Sequence, residues 1–182
     1  MLTVFNHVPF PTAIWLLPFA LALHEAEEWN ILRWEQRNFT NLPAKTHAGV
    51  RTFLVFFTLF GFLWTALTTL PSDPTITAFA FLPFAAGAFL NALQHIFYTT
   101  YFKQYAPGVI TSVVLYLPIV SYLTARAIQE NLVPVAYVVA LGILAILGLI
   151  QTIRAGNTLI PAFRAFSHIG MVLSKWLRIS SN

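Results

Sequence analysis

Residues 8–28 read VPFPTAIWLLPFALALHEAEE. A long apolar run, Val8 to Leu23, passes directly into one imidazole and three carboxylates at 24–28. Ionisable groups near membrane depth are costly, so they mark a site unless something solvates them. The rest of the chain has the same character. Of 182 residues, 58% are hydrophobic and only 9% are charged, against about 25% charged in a soluble domain. Mean hydropathy is +0.72. These values specify an integral membrane protein. Runs of this length close their backbone hydrogen bonds in lipid as helices. The fold class is therefore all-α, a polytopic transmembrane helix bundle, with residues 1–182 forming one membrane-embedded domain.

There is no cysteine, which removes disulfides, thiolate ligands and cysteine nucleophiles. The net charge of +4 requires no nucleic-acid partner, because Lys and Arg gathered on one side of a membrane account for it. No Lys or Arg precedes Arg33. The first apolar run thus lacks the basic region of a secretory signal and reads as a retained helix.

Crossing about 30 Å of hydrocarbon takes about 20 residues. Five stretches qualify: 9–30, 51–70, 75–101, 109–129 and 132–154. Residues 70–74 and 129–134 read as tight turns, which makes two hairpins. Arg33, Arg37, Lys45 and Arg51 lie in the first loop, Lys103 between the third and fourth spans, and Arg154, Arg164, Lys175 and Arg178 after the fifth. The two turns hold neither Lys nor Arg. The expected orientation is N-terminus out and C-terminus cytoplasmic, in the cell inner membrane. Residues 158–179 mix apolar side chains with Arg164, Lys175 and Arg178, and read as a C-terminal interfacial helix; the rival is a sixth short span.

Two polar stripes stand out. His24, Glu27 and Glu28 are spaced i, i+3, i+4, within about 100° of arc on a helix. Asn91, Gln94 and His95 repeat that spacing in the third span, and Tyr98 continues the stripe. His24 lies nine residues before Arg33, and His95 eight before Lys103. At 1.5 Å per residue both sit roughly 12–14 Å below those charges. The two helices run in the same direction, so the stripes can face each other at one level.

His24, Glu27 and Glu28 form H-x-x-E-E, Asn91 to His95 form N-x-x-x-H, and Pro107, Gly108 and Thr111 form P-G-x-x-T. In this order, in a chain this apolar, the motifs resemble the HXXEE family of integral membrane proteins over about residues 10–155. The resemblance implies a shared architecture and a shared polar site at His24, Glu27, Glu28, Asn91, His95 and Thr111. It supplies no reaction.

The chemical reading of the site is a divalent metal held by His24, Glu28 and His95. Imidazole and carboxylate suit zinc first, with iron or manganese as second choices. Three protein ligands and an open position are a catalytic arrangement. Asn91, Gln94, Tyr98 and Thr111 are the expected supporting or substrate-contacting residues, and His168 can fold over from the tail. The competing readings are a hydrogen-bonded cluster without metal and simple polarity at a span's end. Only six acidic residues occur in the chain, too few near the stripes for a ferritin-like di-iron site. Residues 24–28 also parallel the zinc-protease H-E-x-x-H pattern, with Glu28 in place of the second His. Either Glu27 or Glu25 then serves as general base, and the stripe geometry gives Glu27 a slight preference.

The leading function is a metal-dependent hydrolase acting on a lipid or other apolar small molecule. The alternative is a proton- or ion-coupled transporter using the same residues. A structural or sensory subunit is a third reading. Membrane lipids are expected partners, and the chain can form oligomers.

Overall fold

The computed structural model describes residues 7–179. Among these residues the chain forms eight helices and no strand: α1 (Phe10–Ala13), α2 (Leu16–Glu27), α3 (Ile31–Asn38), α4 (His47–Thr68), α5 (Pro74–Tyr101), α6 (Val109–Gln129), α7 (Val135–Ala155) and α8 (Pro161–Trp176). Four of them, α4 to α7, are single helices long and apolar enough to cross a membrane. They coincide closely with the last four expected spans. Asp73 caps α5 by accepting from Thr75 N at 2.8 Å, with Pro74 in the first turn. Thr46 caps α4 by accepting from Gly49 N at 3.0 Å. Both caps meet backbone donors that the helix itself leaves unpaired.

The first expected span, 9–30, differs. It is two helices broken at Ile14–Trp15. Pro18 is the physical reason. Its missing N–H cannot reach the Ile14 carbonyl, which instead accepts from Leu17 N at 3.1 Å, three residues on. The run then ends at Glu27 and turns into the short α3.

α2 lies inside the bundle. Leu17, Leu21 and His24 are at most 3% exposed. Leu17 and Leu21 share a core with Phe81, Leu82 and Leu123 from α5 and α6, and His24 stacks on Tyr116. α4 and α7 stand outside. Leu59 and Leu63 on α4, and Ile143, Leu144 and Leu147 on α7, are each more than half exposed, an outer surface suited to hydrocarbon rather than water. α6 contains a π-turn at Ser112–Tyr116. Its i→i+5 pattern brings residues five apart onto one face, whereas an α-helix would set them about 140° apart.

A tail helix, α8, forms within residues 158–179 and packs antiparallel along the first half of α4. Met171 meets Gly49, and Phe166 stacks on Phe53 at 5.3 Å. Gly170 opposes the Gly49 backbone, and a Cβ there would lie 2.8 Å from Phe53 Cβ. The chain before α8 is pinned as well. Leu159 N donates to Asn41 Oδ1 at 2.6 Å, and Thr40 N donates to the Asn157 carbonyl at 3.0 Å. We expect Gly170→Leu to lift α8 from α4, since overpacking such a contact costs about 1–3 kcal/mol. Limited proteolysis should then cut residues 156–161 faster than in wild type. Gly142→Leu, which meets open space, should leave the cleavage rate unchanged. Wild-type protection in Gly170→Leu would mean that the glycine contact does not hold the helix.

Candidate metal centre

The C-terminal turn of α2 and the last third of α5 bring His24, Glu28 and His95 together. One ligand atom from each lies within 4.8 Å of the other two, and all three residues are buried. His95 Nε2 is 2.9 Å from Glu28 Oε1, and His24 Nε2 is 3.7 Å from the same oxygen. The two imidazoles pack edge to face with centroids 4.9 Å apart. A tetrahedral ion with bonds of about 2.0–2.2 Å sets its ligand atoms about 3.4 Å apart. Side-chain adjustments on the order of 1 Å would meet that geometry.

Hydrogen bonds around His24 fix its tautomer. Glu27 lies one residue before Glu28, yet its carboxylate turns to the start of α6. Its oxygens accept from Ile110 N at 3.1 Å, Thr111 N at 2.8 Å, Thr111 Oγ1 at 2.6 Å and Tyr105 Oη at 2.5 Å. Burial and the Glu27 contact push the Tyr105 hydroxyl up to about 12, so it remains a donor. The N-cap residue of α6, Gly108, has no side chain to offer. Glu27 therefore caps that helix from another element and places its charge at the positive end of the dipole. The Thr111 hydroxyl has one hydrogen and two pure acceptors in reach, Glu27 Oε2 at 2.6 Å and the Gly108 carbonyl at 3.2 Å, and the shorter contact takes it. Thr111 Oγ1 must then accept from His24 Nδ1, 2.8 Å away. With the proton on Nδ1, Nε2 carries the lone pair. That Nε2 is buried and has no hydrogen-bond partner. A histidine oriented through its other nitrogen is the usual support for a metal ligand.

Gly108 and Tyr116 complete the packing. Gly108 has φ +96°, and a Cβ there would lie 2.7 Å from His95 Cε1 and 2.8 Å from His24 Cε1. The Tyr116 ring stacks on His24 at 4.6 Å. The π-turn makes this possible, because Thr111 and Tyr116, five residues apart, both reach the same imidazole.

The centre borders a cavity of about 460 Å³, within the range of small-molecule sites. Glu25, Glu28, Asn91 and His95 line one part of it, while Leu21, Phe53, Phe57 and Phe84 form apolar wall. Phe163, Phe166 and Met171 of α8 also face it. Three carboxylates line the cavity: Glu25, Glu28 and Glu35. Lys45 donates to both oxygens of Glu35 at 2.8 Å. Burial raises the Glu35 carboxyl above its ordinary range, against the pull of Lys45. Glu25 is 7% exposed, and its Oε2 has no partner. A divalent cation held by His24, Glu28 and His95 would compensate the buried Glu28 carboxylate more fully than His95 does alone.

The other expected residues divide. Asn91 lines the cavity with its buried Oδ1 unpartnered. Tyr98 does the same with its hydroxyl. Gln94 touches the cavity, but its Nε2 donates to Thr152 Oγ1 at 2.7 Å and ties α5 to α7. His168 is exposed on α8 and is not part of the cavity wall, although its neighbours Ser167 and Phe166 are. Glu27 serves α6 rather than the cavity. Glu35, Lys45, Trp34 and Gly108 were absent from the expected ligand and contact set. Glu35 and Lys45 are ten residues apart across a loop, and no helical spacing connects them.

Residues 15–123 match a family described as protein of unknown function with HXXEE motif. The uncharacterised protein YrkK of Bacillus subtilis (strain 168) is 29% identical over 124 residues, covering 63% of this chain and 74% of that protein. No solved structure matches. The matched segment carries His24, Glu28 and His95, the Glu27–Thr111 contact and Gly108, and the chain belongs to the HXXEE family.

Proposed function

We propose that this protein is a membrane-embedded, metal-dependent hydrolase acting on an ester of a lipid or similar apolar molecule. The observation that carries the reading is the buried, unpartnered His24 Nε2. Its tautomer is fixed by Glu27 and Thr111, and it stands beside Glu28 and His95, which line an amphipathic cavity. His24, Glu28 and His95 would hold one divalent ion, zinc before iron or manganese. Such an ion polarises a carbonyl and lowers the pKa of water to about 7. Glu25 is the general base, because it lines the cavity with a free oxygen whereas Glu27 is occupied as a cap. Glu25 takes a proton from water as the water oxygen bonds to the acyl carbon. The bond to the leaving alkoxide breaks, and Glu25 returns the proton to it. Asn91 orients the polar groups at the cavity, and the Phe and Leu walls take the hydrocarbon. The distribution of basic residues supports a site near the cytoplasmic side of the inner membrane, with the N-terminus out.

The test is direct. Protein purified without an affinity metal should contain about one metal ion per chain. It should hydrolyse long-chain acyl esters, lose that activity on chelation, and regain it on adding zinc. Metal-free protein with unchanged thermal stability and no such activity would return the cluster to a structural role. Proton-coupled uptake that ignores chelation would favour the transporter.

A further inference from the structure

The cavity has a second polar zone, separate from the three metal-site residues. Trp34 of α3 and Tyr98 of α5 both line it. The Trp34 Nε1 and the Tyr98 hydroxyl are buried, and neither has a hydrogen-bond partner. Buried donors without partners are rare and costly, so each calls for an explanation. The two rings lie 6.0 Å apart and are held by Phe39 and Phe102: Phe39 is 5.3 Å from Tyr98, and Phe102 is 5.5 Å from Trp34. These aromatic contacts make the pair a rigid surface. Tyr98 follows His95 by three residues, about 4.5 Å along the helix axis. A small headgroup can therefore bridge the two zones.

Charge selects the headgroup. Lys45, the only lysine on the cavity wall among the described residues, already gives two hydrogen bonds to Glu35. The remaining wall charges, Glu25 and Glu28, are both acidic. At the Trp34 and Tyr98 end, an anionic headgroup would meet the Glu35 carboxylate with no free Lys or Arg among the described wall residues. An uncharged group with oxygen acceptors satisfies an indole N–H and a phenol O–H directly. The volume of about 460 Å³ lies in the lower half of the range for ligand pockets and suits one chain rather than two.

We propose that Trp34 and Tyr98 form a headgroup subsite for uncharged, hydroxyl-bearing single-chain lipids, with a monoacylglycerol as the fitting chemical class. This rests on the reading of the cavity as a substrate site. It names what binds there and does not require a metal to be present. The ester would lie at the metal centre, the glycerol hydroxyls at Trp34 and Tyr98, and the chain along Phe53, Phe57 and Phe84.

The test separates binding from turnover by using an ether. Full-length protein in detergent is titrated with radiolabelled 1-O-hexadecylglycerol, which cannot be hydrolysed, and with its 3-phosphate. Metal content is measured on the same samples. The expected result is saturable binding of the neutral ether, at least about tenfold tighter than the phosphate. Trp34→Phe and Tyr98→Phe should each weaken ether binding by about 5–10-fold while metal content stays at the wild-type value. Selective binding lost in these variants upholds the subsite even if the protein proves free of metal, and only the hydrolase reading then falls. Equal affinity for the phosphate, or wild-type affinity in both Phe variants, overturns the subsite whatever the metal content.

Discussion

Gly108→Ala is expected to abolish stoichiometric metal binding although it touches none of the ligand atoms. Position 108 has φ +96°, a conformation that costs a residue with a Cβ about 1–3 kcal/mol. The added methyl would also lie 2.7 Å from His95 Cε1, 2.8 Å from His24 Cε1 and 2.9 Å from His95 Nδ1. His24 is enclosed, with Tyr116 stacked on it, and Glu28 holds His95 at 2.9 Å, so the ring that can give way is His95, into the cavity it lines. The rings must separate or the start of α6 must move. Either change breaks a geometry that tolerates about 0.5 Å. We expect metal content to fall from about one ion per chain to less than about a tenth. Helical content should persist, because the long apolar helices do not depend on this contact. Gly142→Ala, facing open space, is the matched control. Full metal content in Gly108→Ala would show that the imidazoles do not act together at this point.

The features that were legible in the sequence are those set by local pattern. The four long helices follow from apolar runs bounded by Asp73–Pro74 and Pro134, and the fourth expected span, 109–129, coincides with α6. The common level of His24 and His95 follows from their offsets to Arg33 and Lys103, and the rings indeed lie 4.9 Å apart. What escaped depends on tertiary contact. The break at Ile14–Trp15 is the partial exception, because Pro18 removes a donor wherever it lies in a helix. The docking of α8 on α4 requires Gly170 to meet Gly49, 121 residues earlier, and no periodicity connects the two. Helical spacing put Gln94 on the same stripe as His95, but a stripe that wide serves two interfaces, and Gln94 belongs partly to the one with α7.

The same limit governed the choice between Glu25 and Glu27, and two substitutions separate them. An arc of about 100° holds His24, Glu27 and Glu28, but it does not say that Glu27 lies at the edge nearest α6. Glu25→Gln should retain the metal and lower ester hydrolysis by about 10²–10⁴-fold, since an amide keeps the shape but cannot accept the proton. Glu27→Gln should act earlier, on the metal itself. Ile110 N and Tyr105 Oη donate to one Glu27 oxygen, and Thr111 N and Thr111 Oγ1 donate to the other. Gln has a single oxygen, so whichever way its amide turns, its NH₂ faces one of these donor pairs. The cap of α6 then loosens, and with it the Thr111 contact that holds His24 Nδ1. Loss of such a supporting contact weakens metal affinity by about 10–100-fold, so activity should fall with metal occupancy and recover at high zinc. Thr111→Val should behave like Glu27→Gln, because it cuts the same chain one link later. If instead Glu27→Gln kept its metal and lost turnover while Glu25→Gln remained active, Glu27 would be the base, and the contacts that cap α6 would have to open during the reaction.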